Sequence, residues 1–255
     1  MANGELFGLD ALTREPHYGS RILELLPAVG DAANAEGAVD LFRQVLQLMG
    51  TDAGVFLSFI RDDAIRSSYR SLLACDPLWA AEYAKQGWYD HDPWLRYAIH
   101  ATEPIRAGEL SILPDEEDFM KLAATLGFAS AVIVPAPSSA GSSRIGVLCV
   151  GSYSPGFFDD DGYGKLRVLA RALAMELHRW MHRTIRDELL ATSRITPAEL
   201  ALLRHEEAGH TSKVIGAALN IEATAVDCRF QRLSAKLDAP DRRTAARIAR
   251  LYGLL

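Results

Sequence analysis

The chain has 255 residues, 49% of them hydrophobic and 24% charged, and a formal net charge of −6. That is the balance of a soluble globular protein with room for two unequal domains. No apolar run is long enough to span a bilayer, no basic-then-apolar segment opens the chain, and the three scattered cysteines Cys75, Cys149 and Cys228 argue for a reducing cytoplasm and against a disulfide framework.

Met1 to about His17 reads as a loose lead. Ser20 to Val29 and Glu36 to Met49 read as helices, the second with Leu41, Val45 and Leu48 on its buried face. Ala53 to Ile60, rich in β-branched and aromatic residues, predicts a strand. Asp62-Asp63 predicts a turn, and Ile65 to Ala74 a returning strand. Pro77 opens a helix through Leu78, Trp79, Ala80 and Tyr83 to Gly87. Trp88 to Asp92 is irregular, and Pro93 opens another helix to His100. Glu116 to Leu126 is helical and stops at Gly127. Ala129 to Pro135 and Arg144 to Tyr153 are strands joined by a Ser/Gly/Pro loop, and a long helix runs from about Asp160 to Arg183 with Leu166, Leu169, Leu173, Leu177 and Trp180 in line. Residues 1–183 therefore predict an α+β domain, an antiparallel sheet sandwiched by helices, with room for a pocket between sheet and helices. Thr184 to Ile195, mixed in charge and ending near Thr192-Ser193, predicts a linker.

From Thr196 the pattern is all-helical. Thr196-Pro197-Ala198-Glu199 is a capping box with Pro at the first helical position, and the short helix it opens, with Leu200 and Leu203 on one face, stops at Gly209. Thr211 or Ser212 caps a second helix, Asn220 takes the turn, and a third helix from Glu222 carries Val226, Phe230, Leu233 and Leu237 in one stripe. Residues 196–255 thus predict either a helix-turn-helix, whose later helix would carry Arg229, Arg232 and Lys236 into a DNA groove, or a helical bundle that packs against something else. The net charge of +2 from Thr196 onward, against −8 for the remainder, is a weak basic footprint, so DNA binding would lean on dimerisation as well as phosphate contacts.

Upstream, Trp79 and Tyr83 are four apart on one helix face, and Asp92 precedes Pro93. Two aromatics with polar tips and one carboxylate suit a ligand bearing a carbonyl and an amide; an aromatic core with an Asp helix cap explains the same residues. His178 and His182 share a helix face without the intervening Glu of a hydrolase and read as a surface pair. Cys149, inside an apolar strand, reads as buried rather than reactive. Asp159-Asp160-Asp161 reads as a solvated turn before the long helix. No nucleophile elbow, phosphate-binding glycine loop or paired-cysteine zinc spacing is present, so neither an enzyme nor a metal site is expected.

Thr196-Pro197-x-Glu199, Leu203, Gly209, Thr211-Ser212-Lys213-x-Ile215, Leu219, Ile221, Val226 and Lys236-Leu237 resemble the LuxR-type helix-turn-helix. Trp79-x-x-x-Tyr83 followed by Asp92-Pro93, with Gly146 in a strand, resembles the autoinducer-binding domain of quorum-sensing LuxR-type regulators. The two resemblances cover nearly the whole chain in the family's order. They imply a homodimeric, cytoplasmic transcription regulator that binds an N-acyl-homoserine lactone and an inverted-repeat operator in double-stranded DNA. RNA polymerase is a further partner, there is no cofactor, and the alternative is an orphan regulator that reads another small molecule or none. On this resemblance Trp79 donates to the lactone carbonyl and Tyr83 and Asp92 hold the amide carbonyl and amide N–H. Cys149 stands where a small polar residue often touches the ligand's amide end, and either Trp94 supplies the bulk of a missing third aromatic or the pocket is larger or more polar. Thr211, Lys213, Thr224, Arg229, Arg232 and Lys236 fall at DNA-contacting positions. Three departures bear on specificity. Ala107, preceded by Arg106, stands where the family has a third aromatic. Asp227 replaces a normally basic residue, which weakens phosphate contact, and Glu222 replaces a Ser cap.

Overall fold

A computed structural model describes residues 8–61, 67–138 and 141–255. The chain forms two compact units, Met1–Phe59 with Tyr69–Trp180, and Ile60–Ser68 with Met181–Leu255. The elements of the first unit are α1 (Leu9–Thr13), α2 (Tyr18–Asp31), α3 (Ala35–Met49), β1 (Ala53–Arg61), β2 (Ser67–Ala74), α4 (Leu78–Gln86), α5 (Pro93–His100), β3 (Ile105–Arg106), α6 (Glu117–Ala123), β4 (Ser130–Pro137) and β5 (Arg144–Ser152). They are followed by α7 (Tyr163–Ser193), which continues past the boundary. The strands form one sheet in the order β2-β1-β5-β4-β3, with β3–β4 and β4–β5 antiparallel.

Period-two alternation sorts the sheet's side chains onto two covered faces. Val55, Leu57, Ile133, Val147 and Cys149 belong to one core cluster with Trp79, Tyr83, Trp94 and Phe119 from α4, α5 and α6. On the opposite face Gly54 lies against Phe42 and Leu46 of α3, and Gly146 against Phe56 and His178. This is the expected α+β sandwich, and it explains why β5 is buried from end to end.

Several local expectations need correction. The supposed loose lead contains α1, whose Leu9 and Thr13 are buried. The buried face of α3 is Ala38, Phe42, Val45, Leu46 and Met49, one step round from Leu41 and Leu48. The two-residue strand β3, too short for a periodic signal, pairs with β4. Glu116 precedes α6 rather than starting it: nearly fully buried, it takes a bidentate bond from Arg96 at 2.6 and 2.8 Å and so ties α5 to this segment. The helix expected to run to Leu126 ends at Ala123, and a π-helical turn, Ala124–Phe128, follows it through Gly127, whose φ of 100° few other residues could adopt. His178 is buried beside Gly146 rather than on the surface. The expected turn at Asp62-Asp63 lies outside the described residues, and Asp160 accepts from the Gly162 amide ahead of α7, as a turn residue should.

Thr184 to Ile195, expected to be a linker, is helical as far as Ser193 because α7 runs on without a Gly or Pro to break it. Leu189 and Leu190 from this extension pack against the core of the second unit, Leu202, Leu203, Ile215, Val226, Phe230 and Leu233. That core is built by α8 (Pro197–Glu207), α9 (Ser212–Leu219), α10 (Ala223–Lys236) and α11 (Arg242–Leu251). The Thr196–Glu199 box caps α8, the Thr211 hydroxyl caps α9, and Asn220 turns the chain at φ 53°, ψ 48°. The last helix, capped by Asp241, was not anticipated. Among the described residues no helix is long and apolar enough to cross a membrane.

A Cβ on Gly146 would sit 2.8 Å from His178 Nδ1, 2.8 Å from Phe56 Cζ and 3.1 Å from Ala136 Cβ. All three neighbours are buried, so Gly146→Ala is expected to lower the unfolding free energy by about 1–3 kcal/mol through overpacking, read from a shifted denaturant midpoint.

Candidate ligand-binding site

The site is built around one carboxylate. Asp92 is the N-cap of α5, and Pro93 sits where a helix tolerates a missing N–H. Its Oδ1 accepts from the backbone amides of Trp94 at 2.7 Å and Leu95 at 3.1 Å. Its Oδ2 accepts from the hydroxyl of Tyr83 on α4 at 2.8 Å. One Asp92 oxygen thus caps α5, and the other is held by Tyr83 where the residue lines a cavity. Four lone-pair positions minus three donors leaves capacity on the cavity side for another.

Asp92 is almost fully buried, and burial pushes its pKa from 3.8 to about 6, against the opposing pull of the Tyr83 hydroxyl and the Leu95 and Trp94 amides. The sign matters. A carboxyl whose folded pKa lies above its unfolded one favours the fold below pH 3.8, and that contribution is lost as pH rises through about 6. At neutral pH the ligand-free protein thus carries a buried charge that one more donor would relieve. Burial also pushes the Tyr83 phenol far above its usual range, so it remains a donor. Burial likewise raises the Cys149 thiol, which keeps it protonated and unreactive.

Trp79, Tyr83, Asp92, Trp94 and Cys149 all line one cavity of about 120 Å³, whose wall also includes Val55, Leu57 and Val147 of the sheet and Tyr69 and Ser71 of β2. Trp79 and Trp94 lie nearly parallel, centroids 5.7 Å apart. Phe119 meets both edge-on at 5.8 and 4.9 Å, and Phe128 leans on both at 4.8 and 5.3 Å. Phe119 and Phe128 come from a distant part of the chain and carry no local pattern that points to the site. The Trp94 indole N–H is buried without a partner, which costs about 1–3 kcal/mol when a donor is left dry. Ala107 packs into the same core without lining the cavity, so the third aromatic is replaced by nothing of its size there, while Arg106 is engaged with Glu109 at 2.6 Å and lies over Tyr163.

The resemblance gives Tyr83 to the ligand; in the structure its hydroxyl donates to Asp92 at 2.8 Å and steadies the carboxylate.

In the second unit Lys213, Thr224, Arg229 and Arg232 are exposed on α9 and α10. Thr211 spends its hydroxyl on the Val214 amide. Lys236 does not present a free cation: its ammonium pairs with Glu199 at 2.7 Å and donates to the Arg194 carbonyl at 3.2 Å. Asp227 accepts from the Ser212 hydroxyl, joining α10 to α9, so its charge is used inside the unit rather than set only against phosphate. Glu222, as the missing Ser suggested, makes no side-chain cap. Among the described residues no group of three or more potential metal ligands occurs.

A family model for the autoinducer binding domain matches residues 34–180. No curated protein sequence matches. Among solved structures, SdiA of Escherichia coli superposes with a TM-score of 0.68 over 92% of this chain and 98% of its own, at 19% identity. SdiA in complex with octanoyl-rac-glycerol gives a TM-score of 0.69 over 94% and 98%, at 18% identity. CepR2 of Burkholderia cenocepacia, an N-acylhomoserine-lactone-dependent LuxR family transcription factor, gives 0.56 over 66% and 98%, at 21% identity. At these identities the likeness establishes the fold.

Tyr83→Phe removes a bond that holds the Asp92 pKa down, so the Asp92 carboxyl is expected to titrate above about 6 in that variant. Carbon-13 NMR of the labelled carboxyl against pH checks it; an unchanged midpoint would deny Tyr83 its positioning role.

Proposed function

The chain belongs to the autoinducer-binding domain family of LuxR-type quorum-sensing regulators, and from that premise we propose that it is a cytoplasmic transcription regulator switched by an N-acyl-homoserine lactone. The observation that carries this reading is the convergence of Trp79, Asp92 and Trp94 on one cavity between sheet and helices. An amide N–H donates to the remaining lone pair of Asp92, a carbonyl accepts from an indole, and the acyl tail lies along Val55, Leu57 and Val147. Because drug-sized ligands usually occupy roughly 300–1,000 Å³, the aliphatic lining repacks as the tail enters. In this reading residues 1–183 form the ligand-binding domain and residues 196–255 a helix-turn-helix that reads an inverted repeat as a homodimer, with Lys213, Thr224, Arg229 and Arg232 facing double-stranded DNA and RNA polymerase as a further partner.

A second reading keeps the fold and changes the ligand. Ala107 in place of the family's third aromatic favours it, and SdiA, similar in fold, binds octanoyl-rac-glycerol, whose hydroxyls could equally donate to Asp92.

Melting curves with a panel of lactones test the first reading. Ligand at one hundred times its Kd stabilises the folded state by about 2.7 kcal/mol, which for a domain this size is a rise of roughly 5–10 °C. Indifference to every lactone, with a rise on octanoylglycerol, supports the second reading instead. For DNA, Arg229→Ala with Arg232→Ala is expected to weaken operator binding and flatten the log affinity against log salt slope by about two. Fluorescence anisotropy at several salt concentrations measures it, and an unchanged slope would remove these arginines from the phosphate contacts.

A further inference from the structure

Trp94 is the unsatisfied donor of the cavity. Its backbone amide is fixed by Asp92 Oδ1 at 2.7 Å at the start of α5. Its ring is closed in by Trp79, Phe119 and Phe128, none of which offers an oxygen acceptor. The residue is 1% exposed, it lines the cavity, and its Nε1 has no hydrogen-bond partner among the described residues. Tyr83, the other candidate donor on this side, has given its proton to Asp92.

We propose that Trp94 is a specificity-determining residue whose indole N–H reads a second carbonyl of the ligand, a contact this chain makes with Trp94 instead of Tyr83. The inference deepens the receptor reading and rests on it. The ligand class that follows is a neutral molecule with one N–H donor flanked by two carbonyl acceptors: Asp92 takes the donor, Trp79 one carbonyl and Trp94 the other. A ligand lacking the second carbonyl leaves the Trp94 N–H dry in the complex as well, and selectivity against it follows from that unpaired group.

The test uses the full chain, labelled with nitrogen-15 in its four tryptophans, and N-octanoyl-homoserine lactone as the probe. Trp94→Phe assigns the Trp94 indole signal and keeps an aromatic ring against Trp79, Phe119 and Phe128. Titration is expected to move the Trp94 indole proton downfield, and Trp94→Phe to weaken binding about tenfold or more. If saturating lactone moves the Trp79 indole signal and leaves that of Trp94 in place, or if Trp94→Phe binds within twofold of the natural chain, the inference falls and the receptor reading stands. If the lactone moves neither indole signal nor the melting temperature, the receptor reading falls and takes the inference with it. Should Trp94→Phe fail to fold, Trp79→Phe, Trp88→Phe and Trp180→Phe, each made singly, assign the other three signals, leave that of Trp94 by elimination, and the wild-type titration decides.

Discussion

The placement of the Asp92 carboxylate is the constraint from which the ligand-binding half follows. An ionised carboxyl removed from water is tolerated only when donors converge on it. Here they come from three directions: the Tyr83 hydroxyl on α4 and the amides of Trp94 and Leu95 at the start of α5. One side chain therefore fixes the angle between two helices, and that angle sets Trp79 against Trp94 at 5.7 Å. Arg96 and the buried Glu116 fasten the same helix to the segment ahead of α6, which brings Phe119 to the edges of both indoles. The bonds balance the charge incompletely, as the carboxyl's rise to about 6 records.

What the sequence could disclose of this arrangement was whatever lies within one turn or one cap. The four-residue spacing of Trp79 and Tyr83 and the Asp92-Pro93 step are local, and both mean in the fold what their spacing suggests. So do the Thr196 box and the left-handed Asn220. Phe119 and Phe128 were illegible because their role depends on a packing partner some forty residues away, and β3 because two residues carry no period. The helical run to Ser193 was misread because mixed charge resembles a linker, yet an unbroken helix with Leu189 and Leu190 on one side has a core to join. Tyr83 shows the limit most plainly: spacing placed its hydroxyl near the site, but not whether the proton would go to a ligand or to Asp92.

In the second unit, formal charge is a poor guide to the field that DNA would meet. Lys236 is paired with Glu199, Arg242 with Glu206 at 2.6 Å, and Asp227 is drawn into a bond with Ser212. These partners join α8 to α10, α8 to α11 and α9 to α10, so they hold the small core of Leu203, Ile215, Val226, Phe230 and Leu233 in register. Much of the modest positive charge is thereby turned inward. On the proposed reading the exposed Lys213, Arg229 and Arg232 of α9 and α10 supply the attraction to phosphate. With so few phosphate contacts from one copy, useful affinity on the proposed reading requires two copies on one duplex.

That dependence on pairing gives the small site a reason to control a large outcome. A ligand-free cavity holds two groups below their best state, a carboxylate with a spare lone pair and an indole N–H with no acceptor. The unpaired indole N–H alone costs about 1–3 kcal/mol, while a folded domain retains only about 5–15 kcal/mol in all. A molecule that answers both groups and adds apolar contact with Leu57 and Val147 therefore shifts the folded population by an amount comparable with the whole margin of stability. On the proposed reading, pairing on DNA draws only on folded chains, so the same free energy enters twice in a dimer, once for each copy. The response to ligand is then steeper than the occupancy of either cavity alone, without any rearrangement of the helices proposed to touch DNA.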